Sequence, residues 1–210
     1  MTFRDRLLGT LRVLQPILEE PGVLVVGSEV PNLLETNAAS TLVVSQDVDL
    51  AVPIDRVTAI KPRLRRIEGL VQSGTRDATE TYVFEDAELP LMVFGPLGLL
   101  RPGHVVEVEG LRVPLPRAGD LMIEKLLTDR TGEKGARDLL VVAGLIDKAT
   151  EADMEELVSV ARRLSPESRH AICASLTVLS LMQGRPWMPD PTRVRHQVTL
   201  LLARLEALGD

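Results

Sequence analysis

The chain has 210 residues and is 45% hydrophobic, enough for one large domain or two small ones around a real core, which excludes wholesale disorder. Aromatics make up only 2%, so the core is built from Leu, Val, Ile and Ala, and an exposed ring platform for stacking single-stranded bases is excluded. A formal net charge of −6 gives no general attraction to a phosphate backbone.

In chain order, Leu7, Leu8, Leu11, Leu14, Ile17 and Leu18 recur at helical spacing and predict an amphipathic first helix that Pro21 and Gly22 end. Charges interrupt MTFRDRLLGTLRVLQ too early for a secretory signal, and the longest apolar stretch, LPLMVFGPLGLL, is too short to span a bilayer. The expectation is a soluble, cytoplasmic protein. GVLVVG is a short β-branched run fit for a strand buried on both faces, ending at Gly27. EVPNLLETNAA has room for one short helix, and TLVVSQDVDLAVP reads as the next strand. Asp55 to Leu70 is helical, with Lys61, Arg63, Arg65 and Arg66 on a basic side, and SGTRDAT reads as a turn. TYVFE, LPLMVFG and HVVEVEGLRVPLP supply further strands, the last folding back near Glu109 and Gly110. After Pro116 every segment carries helical periodicity, with Ser165 and Pro166 as a helix start. The architecture expected is α/β (α+β), a mixed sheet with helices over residues 1–116 followed by a helical bundle over 117–210.

Asp47-Val48-Asp49 carries the chemistry. Side chains alternate along a strand, so both acids point one way while Val48 and Leu50 pack behind them. Two adjacent carboxylates repel unless a cation lies between them, and magnesium takes oxygen ligands from one or two carboxylates plus substrate phosphates. The plainer reading is a solvated strand face. Upstream, Gly27 and Ser28 end an apolar strand; a glycine lets a phosphate approach the backbone, and a serine hydroxyl and amides donate to it.

VVGS, a short helix and then SQDVDLAVP together resemble the signature of the nucleotidyltransferase superfamily. LPRAGDLMIEKLLTDRTGEKGARDLLVV resembles the helix pair of nucleotidyltransferase-type abortive-infection toxins, with Lys125, Lys134 and Asp138 at the matching positions. The resemblance implies a nucleotidyltransferase-like sheet, with Asp47 and Asp49 binding Mg2+ and serving catalysis. It also implies a nucleoside triphosphate held by Gly27, Ser28, Lys125, Lys134 and Asp138, a protein, RNA or small-molecule acceptor, and an antitoxin-like partner protein. On the residues themselves, Lys125 follows a Pro-rich turn and can meet phosphates as a point charge, and Lys134 and Asp138, four apart, can pair on one helix face.

Two positions depart from the pattern. The family's third carboxylate is expected on LPLMVFG, where Met92 stands, a thioether that can neither ligate magnesium nor act as a base. Glu85, Asp86, Glu88, Glu107 and Glu109 are the acids placed to substitute, with solvated strand edges as their plainer reading. Val43 stands where related toxins carry an arginine, which weakens phosphate binding rather than the metal site. The alternative function is therefore a catalytically degenerate member that binds a nucleotide or a partner protein. Cys173 reads as a buried packing residue, and His104, His170 and His196 have no metal-ligand spacing.

Overall fold

The structure is a computed structural model that describes residues 3–35, 47–76, 79–84, 91–96, 100–128, 132–184 and 188–209. It divides into two compact units, Met1–Pro116 and Arg117–Asp210.

In the first unit, α1 (Phe3–Leu18) buries Leu7, Leu8, Leu11, Leu14, Ile17 and Leu18, the stripe its periodicity announces. Then follow β1 (Leu24–Val26), α2 (Glu29–Leu34), β2 (Asp47–Val52), α3 (Val57–Leu64), β3 (Leu70–Arg76), β4 (Thr79–Phe84), β5 (Leu91–Pro96), β6 (Pro102–Val108) and β7 (Leu111–Pro116). Five strands form one sheet in the order β1-β2-β5-β4-β3, while β6 and β7 form a separate hairpin. The sheet is mixed: β2 and β5 run parallel, and the other pairs are antiparallel.

The segment SGTRDAT is not a turn throughout: Ser73 to Arg76 continue β3, Arg76 pairs with Thr79 on β4, and residues 77–78 lie outside the described residues. The punctuating residues mark an irregular edge strand instead, with a register shift between Gln72 and Gly74. The basic side of α3 is spent on packing. Lys61 Nζ lies 2.6 Å from Glu80 Oε1 on β4, Arg63 pairs with Glu20 and donates to the Pro16 carbonyl, and Arg65 donates to Gln72. The β6–β7 turn falls at Glu109 and Gly110, both at positive φ, as a two-residue hairpin turn requires.

The second unit is helical: α4 (Ala118–Leu127), α5 (Gly132–Lys148), α6 (Glu151–Ala161), α7 (Pro166–Leu181) and α8 (Pro191–Glu206). Leu121, Met122, Val141, Leu145, Leu157, Ile172, Leu176 and Val198 fill its core. Thr150 and Asp153 close a capping box on α6, and Ser165 caps α7 with Pro166 in its first turn. Arg195 on α8 donates to the Ser180 and Met182 carbonyls, the orphan acceptors at the end of α7. No helix among the described residues is long and apolar enough to cross a membrane. Cys173 is half-buried rather than buried, and burial followed by the charge of Glu206 pushes its thiol up.

Candidate functional site

Strand β2 sets the two acids. Val48 and Leu50 are buried at 0% and 2% exposure, and Asp47 and Asp49 alternate with them on the opposite face, each half-buried. Glu80 pairs in register with Phe94, and Phe94 with Leu50, so Lys61 reaches the sheet from α3 on the Leu50 face. The acid face is the other one.

Strand β1 brings the Gly-Ser turn to the same place. Val26 is in register with Asp49, and Gly27 leaves the strand at φ +84°. A Cβ on Gly27 would lie 2.5 Å from Asp49 Oδ2, so the bare backbone of the turn sits directly against the carboxylate. Ser28 occupies the N-cap position of α2 yet makes no side-chain capping hydrogen bond, so its hydroxyl is not spent on the helix. The structure thus brings Gly27 against Asp49, with Ser28 next in the chain and Asp47 on the same strand face as Asp49.

Met92 is not the position beside the acids. In the parallel β2–β5 pair, Leu91 is in register with Asp47, Val93 with Asp49, and Met92 with Val48. Positions in register share a face, so 91 and 93 are the neighbours of the acids. The one-residue difference arises because a strand's face cannot be read before its register is known. Neither Leu nor Val carries an oxygen ligand, and Thr81, in register with Val93, adds only a hydroxyl to that row. Glu107 and Glu109 do not substitute: Glu107 lies on β6 outside the five-stranded sheet, and Glu109 sits in the hairpin turn paired with Arg12. Glu85, Asp86, Glu88 and Val43 lie outside the described residues. Among the described residues no three His, Cys, Asp or Glu side chains converge as a metal site. Asp47 and Asp49 are the two carboxylates that this strand face offers to a cation.

The sequence reading missed Glu29, which directly follows Ser28 and is buried at 1% exposure. Its signal was a charge opening a short, mostly apolar helix, EVPNLL.

No family model matches the chain, and no curated protein matches it. Solved structures do. An antigenic nucleotidyltransferase-like protein from Paracoccidioides brasiliensis matches 80% of this chain and 92% of its own, with a TM-score of 0.51 and 14% identity. The antibiotic-resistance factor ANT(2'')-Ia matches 77% of this chain and 93% of its own, with a TM-score of 0.52 and 11% identity. The fold is nucleotidyltransferase-like. Both matches cover more of the chain than the first unit alone, so the nucleotidyltransferase-like fold takes in part of the helical unit. At these identities the likeness is one of fold.

Within the helical unit of this nucleotidyltransferase-like chain, Lys125 on α4 and Asp138 on α5 are both buried, with Nζ 3.5 Å from Oδ1. Asp138 therefore meets Lys125 rather than Lys134, its neighbour four residues back. Lys134 is exposed, because α5 turns its first positions to solvent while Asp138 faces α4.

Proposed function

We propose that the chain is a magnesium-dependent nucleotidyltransferase that moves a nucleoside monophosphate from a nucleoside triphosphate to a hydroxyl of a protein, RNA or small molecule. The observation that carries this reading is the Gly27-Ser28 turn packed against Asp49, with Asp47 on the same strand face. Two carboxylates and a turn rich in donors form a site for a cation and the phosphates it accompanies.

In the reaction, the acceptor oxygen forms a bond to the α-phosphorus, the bond from that phosphorus to the bridging oxygen breaks, and pyrophosphate leaves. Magnesium, when bound, supplies charge neutralisation to the phosphates. Asp47 and Asp49 hold it through carboxylate oxygens, and the Gly27 backbone and the Ser28 amide and hydroxyl donate to the triphosphate. Within the helical unit, Lys125 is held by Asp138, and Lys134 is an exposed cation. The acceptor's proton passes to solvent or to a group of the acceptor itself. Most of the rate gain is positioning and electrostatics.

A second reading is favoured by Leu91 and Val93, the apolar register neighbours of the acids: a chain that binds the nucleotide, or a partner protein such as an antitoxin, without transfer. Incubation with α-phosphate-labelled triphosphates and cell lysate separates the two. Transfer that needs magnesium and falls by about 100-fold or more in Asp49→Asn supports the enzyme. Nucleotide binding without any transfer supports the second reading.

A further inference from the structure

We propose that Gly27 is a positioning residue that seats the Asp49 carboxylate for cation capture, an inference that rests on the metal-site reading above. Gly27 turns the chain out of β1 at φ +84° immediately after Val26, the register partner of Asp49. A Cβ on Gly27 would stand 2.5 Å from Asp49 Oδ2 and 3.3 Å from both its Cβ and Cγ. Three side-chain atoms of one acid therefore fill the space that any other residue at 27 would take. A strand side chain has few staggered rotamers, and a backbone wall at this distance removes the freedom to swing between them. The glycine serves the acid as directly as it serves an incoming phosphate. The turn and the carboxylate then move as one piece, so cation and nucleotide binding are coupled through a contact that neither ligand makes.

The alternative is that position 27 needs only the positive φ. Gly22, at the other end of the same strand pair, supplies the control: it sits at φ +82°, and its Cβ would lie 2.6 Å from Pro53 Cγ. Gly22→Ala thus carries the same backbone strain and a similar overlap without touching an acid.

The test measures Mn2+ binding to the full chain by calorimetry, alongside a thermal-unfolding cycle of Gly27→Ala, Asp49→Ala and the double variant. Gly27→Ala is expected to lose about 10- to 100-fold in Mn2+ affinity, the range seen when a group orienting a metal ligand is removed. Gly22→Ala is expected to bind as the wild type does. The fall in unfolding midpoint caused by Gly27→Ala is expected to shrink when Asp49 is already alanine, because the overlap has gone. Equal falls in both backgrounds, or wild-type Mn2+ affinity in Gly27→Ala, would overturn the proposal. If Gly27→Ala does not fold, a folded double variant supports the seating and an unfolded one overturns it. A wild type that takes up no Mn2+ refutes the proposed function instead, and the unfolding cycle alone then decides the seating.

Discussion

Glu80 and Tyr82 carry the most concentrated polar chemistry behind the acid face. Tyr82, fully buried, donates its hydroxyl to Glu80 Oε2 at 2.6 Å, and Lys61 holds the other carboxylate oxygen. Burial by itself pushes the Glu80 carboxyl up, but hydrogen bonds from Lys61 and Tyr82 and the charges of Lys61 and Arg65 outweigh it and hold the group below the usual carboxylate range. A folded pKa below the unfolded one stabilises the protein above the unfolded value, about 4.3, and that share is lost as pH falls through the folded value. The stability gap between wild type and Glu80→Gln should therefore narrow on acidification, as read by denaturant titration at stepped pH. Tyr82 runs the other way. Burial, then the hydrogen bond to Glu80 and its charge, push the phenol up to about 12. Its contribution is full below the unfolded value of about 10 and is lost as pH rises through about 12. Tyr82→Phe should cost about 1.5–3 kcal/mol at neutral pH, the worth of a hydrogen bond to a charged group, and the difference should fade at strongly alkaline pH.

Among the elements, the α4–α5 contact is the most exposed to a single change. Removing one partner of a buried ion pair takes away a charge that offsets the other's desolvation, so Lys125→Met should cost at most about 3–5 kcal/mol in urea unfolding. Lys125→Met with Asp138→Leu should recover much of that loss, because an apolar pair of similar volume needs no desolvation of charge. Lys134→Ala should stay within about 0.5 kcal/mol, being exposed. These elements also show what a sequence can carry. The α1 stripe, the start of α7 at Ser165 and Pro166, and the turn at Glu109 and Gly110 are local signals, set by periodicity or dihedral demand, and they were legible. The pairing of Asp138 with Lys125, the continuation of β3 through Ser73 to Arg76, and the register position of Met92 depend on which strand or helix lies alongside. No local pattern encodes those neighbours.

At the scale of the whole molecule, the chain runs from strands with helices to helices alone, and its fold is like that of two nucleotidyltransferase-like solved structures. The candidate site was legible in its strongest part, because Gly27-Ser28 and Asp47-Val48-Asp49 are short motifs whose strands pair directly. The contact between Gly27 and the Asp49 carboxylate was not, since it requires both the antiparallel register and the positive φ. Buried Glu29 escaped for a similar reason: burial is a property of the packed turn, not of the motif. The central claim, that the acid face of β2 holds a cation together with a nucleotide, is tested most directly by calorimetry. ATP, CTP, GTP and UTP, each with magnesium, would be titrated into the wild type and into an Asp47→Ala/Asp49→Ala variant of unchanged fold. The account predicts magnesium-dependent binding of at least one triphosphate by the wild type and its loss in the double variant. Absence of binding by the wild type, or equal binding by both proteins, would contradict it.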